Sequence, residues 1–238
     1  EYLFAAQLIG AMAVPINARY KAPELAYVLD NADIDLLVTH DAISEYANFG
    51  QLIDDALVEK TPQRLKHLIM LGAKREGFIS DEAFLIKGET VDTDIVDEMR
   101  SQVSLRNPAI MMYTSGTTAN PKACCLSHRS VVGNGFAQAA RWQMTAQDRM
   151  YDPLPFFHMS TILPLTASMC VMASLFATRY FNVDEAIETF INDDITIGFI
   201  AFPTLTNEII NHPKFDGAAL SSIRLVNNVA PVSTLEIY

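Results

Sequence analysis

The stretch Tyr113–Lys122, YTSGTTANPK, places four hydroxyl side chains, Thr114, Ser115, Thr117 and Thr118, around Gly116, with Pro121 and Lys122 just beyond. Hydroxyls and successive backbone N–H groups donate to phosphate oxygens, glycine lets the backbone approach closely, and Lys122 adds a compact, rotatable cation. The composition is that of a phosphate-binding loop. A Walker loop is excluded, because that pattern has Gly before its Lys and Ser or Thr after it, whereas Lys122 lies between Pro121 and Ala123. A polar turn whose Ser and Thr satisfy their own backbone has the same composition, so the loop alone leaves both readings open.

Working outward, Ala109–Thr114 reads as a strand running into the loop and Ala123–Leu126 as a strand leaving it, stopped by Ser127, which suits the cap of a following helix. Upstream, Tyr2–Ala13 reads as a buried helix and Val14–Asn17 as a short strand. Pro23 suits a helix's first turn, with Leu25, Val28 and Leu29 at helical spacing, and Leu36–Thr39 follows as a short buried strand. Asp41–Glu59 reads as a helix and His67–Gly72 as a strand, whereas residues 73–106 show no clear element. Downstream, Asp184–Asn192 and Pro203–Asn211 read as helices, Ile195–Ala201 and Arg224–Asn227 as strands. Strands alternating with helices predict an α/β fold of parallel βαβ units with helices on both faces of a sheet.

Composition sets the outer limits. The chain has 238 residues, half of them hydrophobic and 19% charged, which excludes disordered and fibrous classes. A net charge of −11 opposes broad binding to nucleic acid or anionic lipid, so any phosphate site must be local. Cys124, Cys125 and Cys170 give neither a disulfide framework nor a metal-ligand spacing, which points to a reducing cytosol and a cytoplasmic protein. Tyr2–Val14 lacks the basic leader and cleavage site of a secretory signal and reads as an internal segment. Phe156–Ala177 has no charged residue over 22 positions, yet Pro164, His158 and several Ser and Thr residues favour a buried helix or strand-helix unit over a membrane span.

The order of residues in YTSGTTANPK, followed by Ser127-His128, resembles the phosphate loop of the adenylate-forming superfamily of acyl-CoA synthetases, aryl-CoA ligases, luciferases and adenylation domains. Four further segments are similar to that family in the same order. Gly10-Ala-Met-Ala-Val-Pro-Ile-Asn17 with Glu24-Leu-Ala-Tyr-Val-Leu29 resembles its structural segment upstream of the loop. Pro153-Leu-Pro-Phe-Phe-His158 resembles the motif beside the carboxylate substrate, which makes His158 the main substrate-pocket candidate, joined by Phe157. Phe202-Pro203-Thr204 resembles a strand-to-helix junction along the acyl pocket, and adds Phe202. Val226-Asn-Asn-Val-Ala-Pro231 resembles the adenine-contacting segment, and supplies Asn228, Val229, Ala230 and Pro231. The departures are Ala119 and Ala123, where the family has glycine, and Asn228 and Val229, where it has small residues.

The resemblance implies layered βαβ subdomains of the large N-terminal domain of an adenylate-forming enzyme, incomplete at both ends. It implies a first α/β part near residues 1–105, a phosphate-loop and acyl-pocket part at 106–238, and an absent C-terminal domain. Thr114, Ser115, Gly116, Thr117, Thr118 and Lys122 are then the ATP-phosphate contacts, and no metal ligand or certain catalytic residue is assigned. The intact enzyme is expected to use ATP, Mg²⁺ and CoA to activate a fatty or other hydrophobic carboxylate as acyl-AMP and pass it to CoA, the 238-residue piece being inactive alone. No nucleic acid and no transmembrane segment are expected, with a homo-oligomer left open. The alternatives are a degenerate paralogue that binds acyl groups or nucleotide without turnover, an adenylation domain loading a carrier thiol, a luciferase-like member, and an unrelated α/β domain.

Overall fold

The computed structural model describes residues 1–45, 47–114, 120–217 and 220–229. The contacts divide it into two units, Glu1–His128 and Arg129–Tyr238.

In the first unit, α1 (Tyr2–Leu8) is followed by α2 (Ala22–Asn31), β1 (Leu36–His40), α3 (Phe49–Glu59), β2 (His67–Leu71), β3 (Ile79–Ser80), α4 (Asp81–Glu89) and α5 (Thr93–Gln102). β4 (Pro108–Thr114) and β5 (Lys122–Ser127) complete it. β1, β2 and β3 form a parallel sheet in that order. Pro23 lies in the first turn of α2, where a missing N–H costs nothing; Leu25, Val28 and Leu29 are buried, and Leu25 and Leu29 pack in one cluster with Ile53 and Ala56 of α3.

Three expectations here need correction. α1 stops at Leu8 rather than Ala13, with Gly10 in the left-handed region at φ 80, and none of its residues is buried. Val14–Asn17 is not a strand. Only Ala13 bridges Ile110, and Pro15 has no N–H to extend a ladder. The helix read over Asp41–Glu59 begins at Phe49, because the Asn48 side chain accepts the Gln51 N–H at 3.0 Å and caps it there. Tyr46, inside that expected span, lies outside the described residues.

The strands beside the phosphate motif are antiparallel, unlike the parallel strands of the three- and four-stranded sheets. β4 pairs with β5 from Pro108 opposite Ser127 to Thr114 opposite Lys122. Only residues 115–121 connect them, too few for the crossover of a dozen or so residues that a parallel pair requires.

The second unit carries a four-stranded parallel sheet in the order β7-β6-β8-β9, built from β6 (Arg149–Asp152), β7 (Ser174–Ala177), β8 (Ile197–Ala201) and β9 (Leu225–Asn228). Its helices are α6 (His128–Arg141), α7 (Met159–Val171), α8 (Val183–Asn192) and α9 (Pro203–Ile210). Alternation along β6 and β8 gives each face its own core. Met150, Ile197 and Phe199 pack with Ala139, Trp142 and Ala167 on one face, and Tyr151 and Ile200 with Ile187, Phe190 and Ile209 on the other. The uncharged 156–177 stretch becomes α7 and β7, and no described helix is long and apolar enough to cross a membrane.

At the N-terminal edge of this sheet, Asp148 takes hydrogen bonds from Arg224 Nε and Nη2 at 2.8 Å each, from the Thr196 hydroxyl at 2.7 Å and from the Thr145 N–H at 2.8 Å. These residues immediately precede or approach β6, β8 and β9, so one carboxylate ties three strand starts together. Burial works to raise the Asp148 pKa, but the Arg224, Thr196 and Thr145 hydrogen bonds bring it down to about 2.

Candidate functional site

In an open parallel sheet, ligands settle beyond the carboxyl ends of the strands, where the connections diverge. In the order β7-β6-β8-β9, β6 is linked through α7 to β7 on one side, and β8 through α9 to β9 on the other. The switch point therefore lies between β6 and β8. Every described candidate of the second unit follows one of these carboxyl ends: Phe157 and His158 after β6, Phe202 after β8, and Asn228 and Val229 at the end of β9.

His158 is exposed and caps α7, its Nδ1 accepting the Ser160 N–H at 3.1 Å. With Nδ1 engaged as acceptor, the neutral ring carries its proton on Nε2 and presents an N–H donor to whatever lies beyond the strand end. Phe157 is half-buried beside it. Of the aromatic residues near β8, Phe190 and Phe199 are core, whereas Phe202 is 52% exposed and caps α9 just before Pro203.

Ala201, which ends β8, adopts φ 57, a left-handed conformation costly for a residue with a Cβ. It sits at a register irregularity between Phe199 and Ala201, and its carbonyl accepts the Val229 N–H at 2.7 Å. That bond continues the β8–β9 pairing to the adenine-segment candidates. Asn228 Nδ2 donates to Thr206 Oγ1 at 3.1 Å, while its buried Oδ1 has no partner. Val229 is 70% exposed. Ala230 and Pro231 lie outside the described residues.

In the first unit, the β4–β5 ladder brings Thr114 and Lys122 face to face at the mouth of the hairpin loop, with the Thr114 hydroxyl 3.4 Å from the Lys122 carbonyl. Ser115, Gly116, Thr117, Thr118 and Ala119 lie outside the described residues. Tyr113, which opens the motif, donates its phenol proton to Asn31 Oδ1 at 2.7 Å and so ties the strand to α2. Burial, followed by the nearby Tyr27 and Tyr20, pushes that phenol up to about 12. Ala123, one of the two glycine-to-alanine departures, pairs with Tyr113 in the regular ladder and has no left-handed φ. Its Cβ therefore costs the backbone nothing.

One residue that sequence reading missed stands out. Asp152, the last residue of β6, is completely buried next to the Pro153–His158 loop, and burial pushes its carboxyl up to about 7 against the lowering pull of the Leu154 N–H and the Thr161 hydroxyl. An acid directly after the apolar Met150-Tyr151 pair and directly before a proline-rich motif was the available signal.

Among the described residues no three His, Cys, Asp or Glu side chains converge as a metal site.

The profile of the AMP-binding enzyme family matches residues 1–236. Among curated proteins, the chain is 31% identical over 233 residues to the putative acyl-CoA synthetase YngI of Bacillus subtilis, covering 93% of this chain and 42% of that protein. It is 24% identical over 212 residues to the long-chain-fatty-acid–CoA ligase FadD13 of Mycobacterium tuberculosis, covering 89% of this chain and 38% of that one. Among solved structures, the N-terminal domain of FACL13 from Mycobacterium tuberculosis superposes with a TM-score of 0.77 at 22% identity, over 99% of this chain and 55% of that one. The chain thus spans about two fifths of the length of these curated relatives.

Proposed function

Because the chain belongs to the AMP-binding enzyme family, we propose that the whole protein is an ATP-dependent, AMP-forming acyl-CoA ligase acting on a fatty or other hydrophobic carboxylate. The observation that carries this is the hairpin that sets Thr114 opposite Lys122 at the ends of the phosphate motif, within a chain matched by the family over residues 1–236. A relative named for long-chain fatty acids supports the hydrophobic substrate.

In the first step a carboxylate oxygen attacks the α-phosphorus of ATP. The bond from that phosphorus to the bridging oxygen breaks, giving acyl-AMP and pyrophosphate. In the second, the CoA sulfur attacks the acyl carbonyl and AMP departs. Thr114, Ser115, Gly116, Thr117, Thr118 and Lys122 hold the β- and γ-phosphates and offset charge on the leaving pyrophosphate. His158 Nε2–H donates to an oxygen of the acyl phosphate, and Phe157 and Phe202 border the acyl chain. The unpartnered Asn228 Oδ1 accepts the adenine amino group, with Val229, Ala230 and Pro231 against the purine. We assign the phosphate loop and acyl pocket to residues 106–238. Mg²⁺ would neutralise phosphate charge, and among the described residues no cluster of His, Cys, Asp or Glu fits it. The cytoplasm is the proposed location.

The nucleotide half of this assignment is tested by titrating ATP against the protein and its Lys122→Ala variant. Binding weakened at least tenfold by the substitution supports it, and equal binding contradicts it.

A further inference from the structure

The polar bonds at the corner between β8 and α9 run on to the end of β9. Thr206, one turn into α9, is buried, and its hydroxyl donates to the Phe202 carbonyl at 3.3 Å, the back-bond that a helical threonine makes to the residue four before it. With its proton so committed, Thr206 Oγ1 has only lone pairs to offer Asn228, whose amide nitrogen lies 3.1 Å away. The contact therefore requires a donor from Asn228, and the amide turns Nδ2 toward Thr206. Its oxygen, Oδ1, faces the other way and is buried without a hydrogen-bond partner. The reverse orientation would need Thr206 to donate to Oδ1 and give up the Phe202 carbonyl.

The backbone of this segment is pinned as well. Asn228 pairs with Ala201 across the ladder of β8 and β9, and the Val229 N–H donates to the Ala201 carbonyl at 2.7 Å. Backbone bonds thus fix where Asn228 sits, and one hydroxyl fixes which edge of its amide turns outward. What remains is an unsatisfied acceptor at the carboxyl ends of a parallel sheet, where ligands settle. Such an acceptor tells one purine from another. It accepts from the exocyclic amino group of adenine, and it meets only lone pairs on a purine that carries a carbonyl oxygen at that position.

We propose that Thr206 is a positioning residue for nucleotide selection: by taking the Asn228 Nδ2–H it holds Oδ1 toward the base, so that the site takes an aminopurine nucleotide in preference to an oxopurine one. The inference rests on the adenine assignment of Asn228 and names the residue that enforces it.

The test measures equilibrium binding of ATP and of inosine triphosphate, which carries a carbonyl where adenine has its amino group, to the wild-type protein and to Thr206→Val and Thr206→Ser. Wild type should prefer ATP by about tenfold or more, since the carbonyl leaves the buried acceptor unpaired. Thr206→Val keeps the side chain's shape and removes the hydroxyl, so the freed amide can turn either edge to the base, and the preference should fall to about threefold or less. Thr206→Ser retains the hydroxyl and should keep the wild-type ratio. In the nucleotide-free protein, the Asn228 side-chain amide signals in NMR should move in Thr206→Val and stay in place in Thr206→Ser. An unchanged ratio in Thr206→Val even with both affinities reduced, amide signals that do not move, or a Thr206→Ser protein that behaves as Thr206→Val would each overturn the positioning role. A wild type without preference overturns it together with the adenine role of Asn228. Binding requires no turnover, so a protein that shows the Thr206-dependent ratio but forms no acyl-CoA sinks the ligase reading and leaves this inference standing, whereas acyl-CoA formation with a ratio indifferent to Thr206 does the reverse.

Discussion

Replacing Asp148 by Asn removes the charge that joins the N-terminal ends of β6, β8 and β9 while keeping the side chain's size. The carboxylate is 5% exposed, accepts from both Arg224 Nε and Nη2, and also serves Thr196 and Thr145. Its pKa falls from 3.8 to about 2, which at about 1.36 kcal/mol per pH unit corresponds to roughly 2 kcal/mol of stability. Arg224 is 37% exposed, so solvent screening trims its part, but the buried acceptor retains most of it. A lowered folded-state pKa stabilises above the unfolded value, and that stability is lost as pH falls through the folded value. Urea unfolding of both proteins at pH 7 should therefore show Asp148→Asn less stable by about 2 kcal/mol at an unchanged m-value. Below pH 3 the gap should close as the wild-type carboxylate takes up a proton. A gap under about 0.5 kcal/mol at pH 7, or one that persists undiminished at pH 2, would refute the clamp, since either outcome means the charge adds nothing that an amide cannot.

The buried acid at the other edge of the sheet has the opposite sign. With the Asp152 carboxyl raised to about 7, wild-type stability should decline by about 4 kcal/mol between pH 4 and pH 7 on account of this group, a slope that Asp152→Asn abolishes in urea titrations across that range. Gly135 and Gly133 form a matched pair in α6. A Cβ at Gly135 would meet the Thr166 backbone at 3.0 Å and Cys170 Sγ at 3.1 Å, whereas one at Gly133 would meet nothing within 4 Å. Gly135→Ala should cost about 1–3 kcal/mol by thermal melting, and Gly133→Ala should gain about 0.5–1 kcal/mol from helix propensity.

How much of this was legible depended on which force set each element. α2, α8 and α9 follow their apolar period or a proline at the start, and the structure places them within a residue or so of the sequence expectation. β4 and β5 were equally clear, but their antiparallel pairing follows from the brevity of the connection rather than from residue pattern. Residues 73–106 were opaque because α4 and α5 bury nothing. Leu85, Ile86, Ile95 and Met99 remain exposed, so no core-facing stripe marks the helices, which rest on the Ser80 and Asp92 caps. β6 went unread because four residues are too few to show a period. Among the candidates, His158, Phe202 and Asn228 were singled out through their neighbours in sequence. Asp152 was not, because its significance is its burial, which only the packing of α7 on β6 reveals.

The central claim is the chemistry of the whole protein, and thioester formation measures it directly. Incubation with ATP and a panel of fatty and aryl acids, with and without CoA, should release pyrophosphate with the hydrophobic acids. Mass spectrometry should find one acyl-CoA for each AMP when CoA is present, and Lys122→Ala should lower the rate at least tenfold. No acid-dependent pyrophosphate anywhere in the panel would contradict ligase activity and favour a binding protein without turnover. Pyrophosphate release with no acyl-CoA would contradict CoA as the acceptor and favour loading of a carrier thiol.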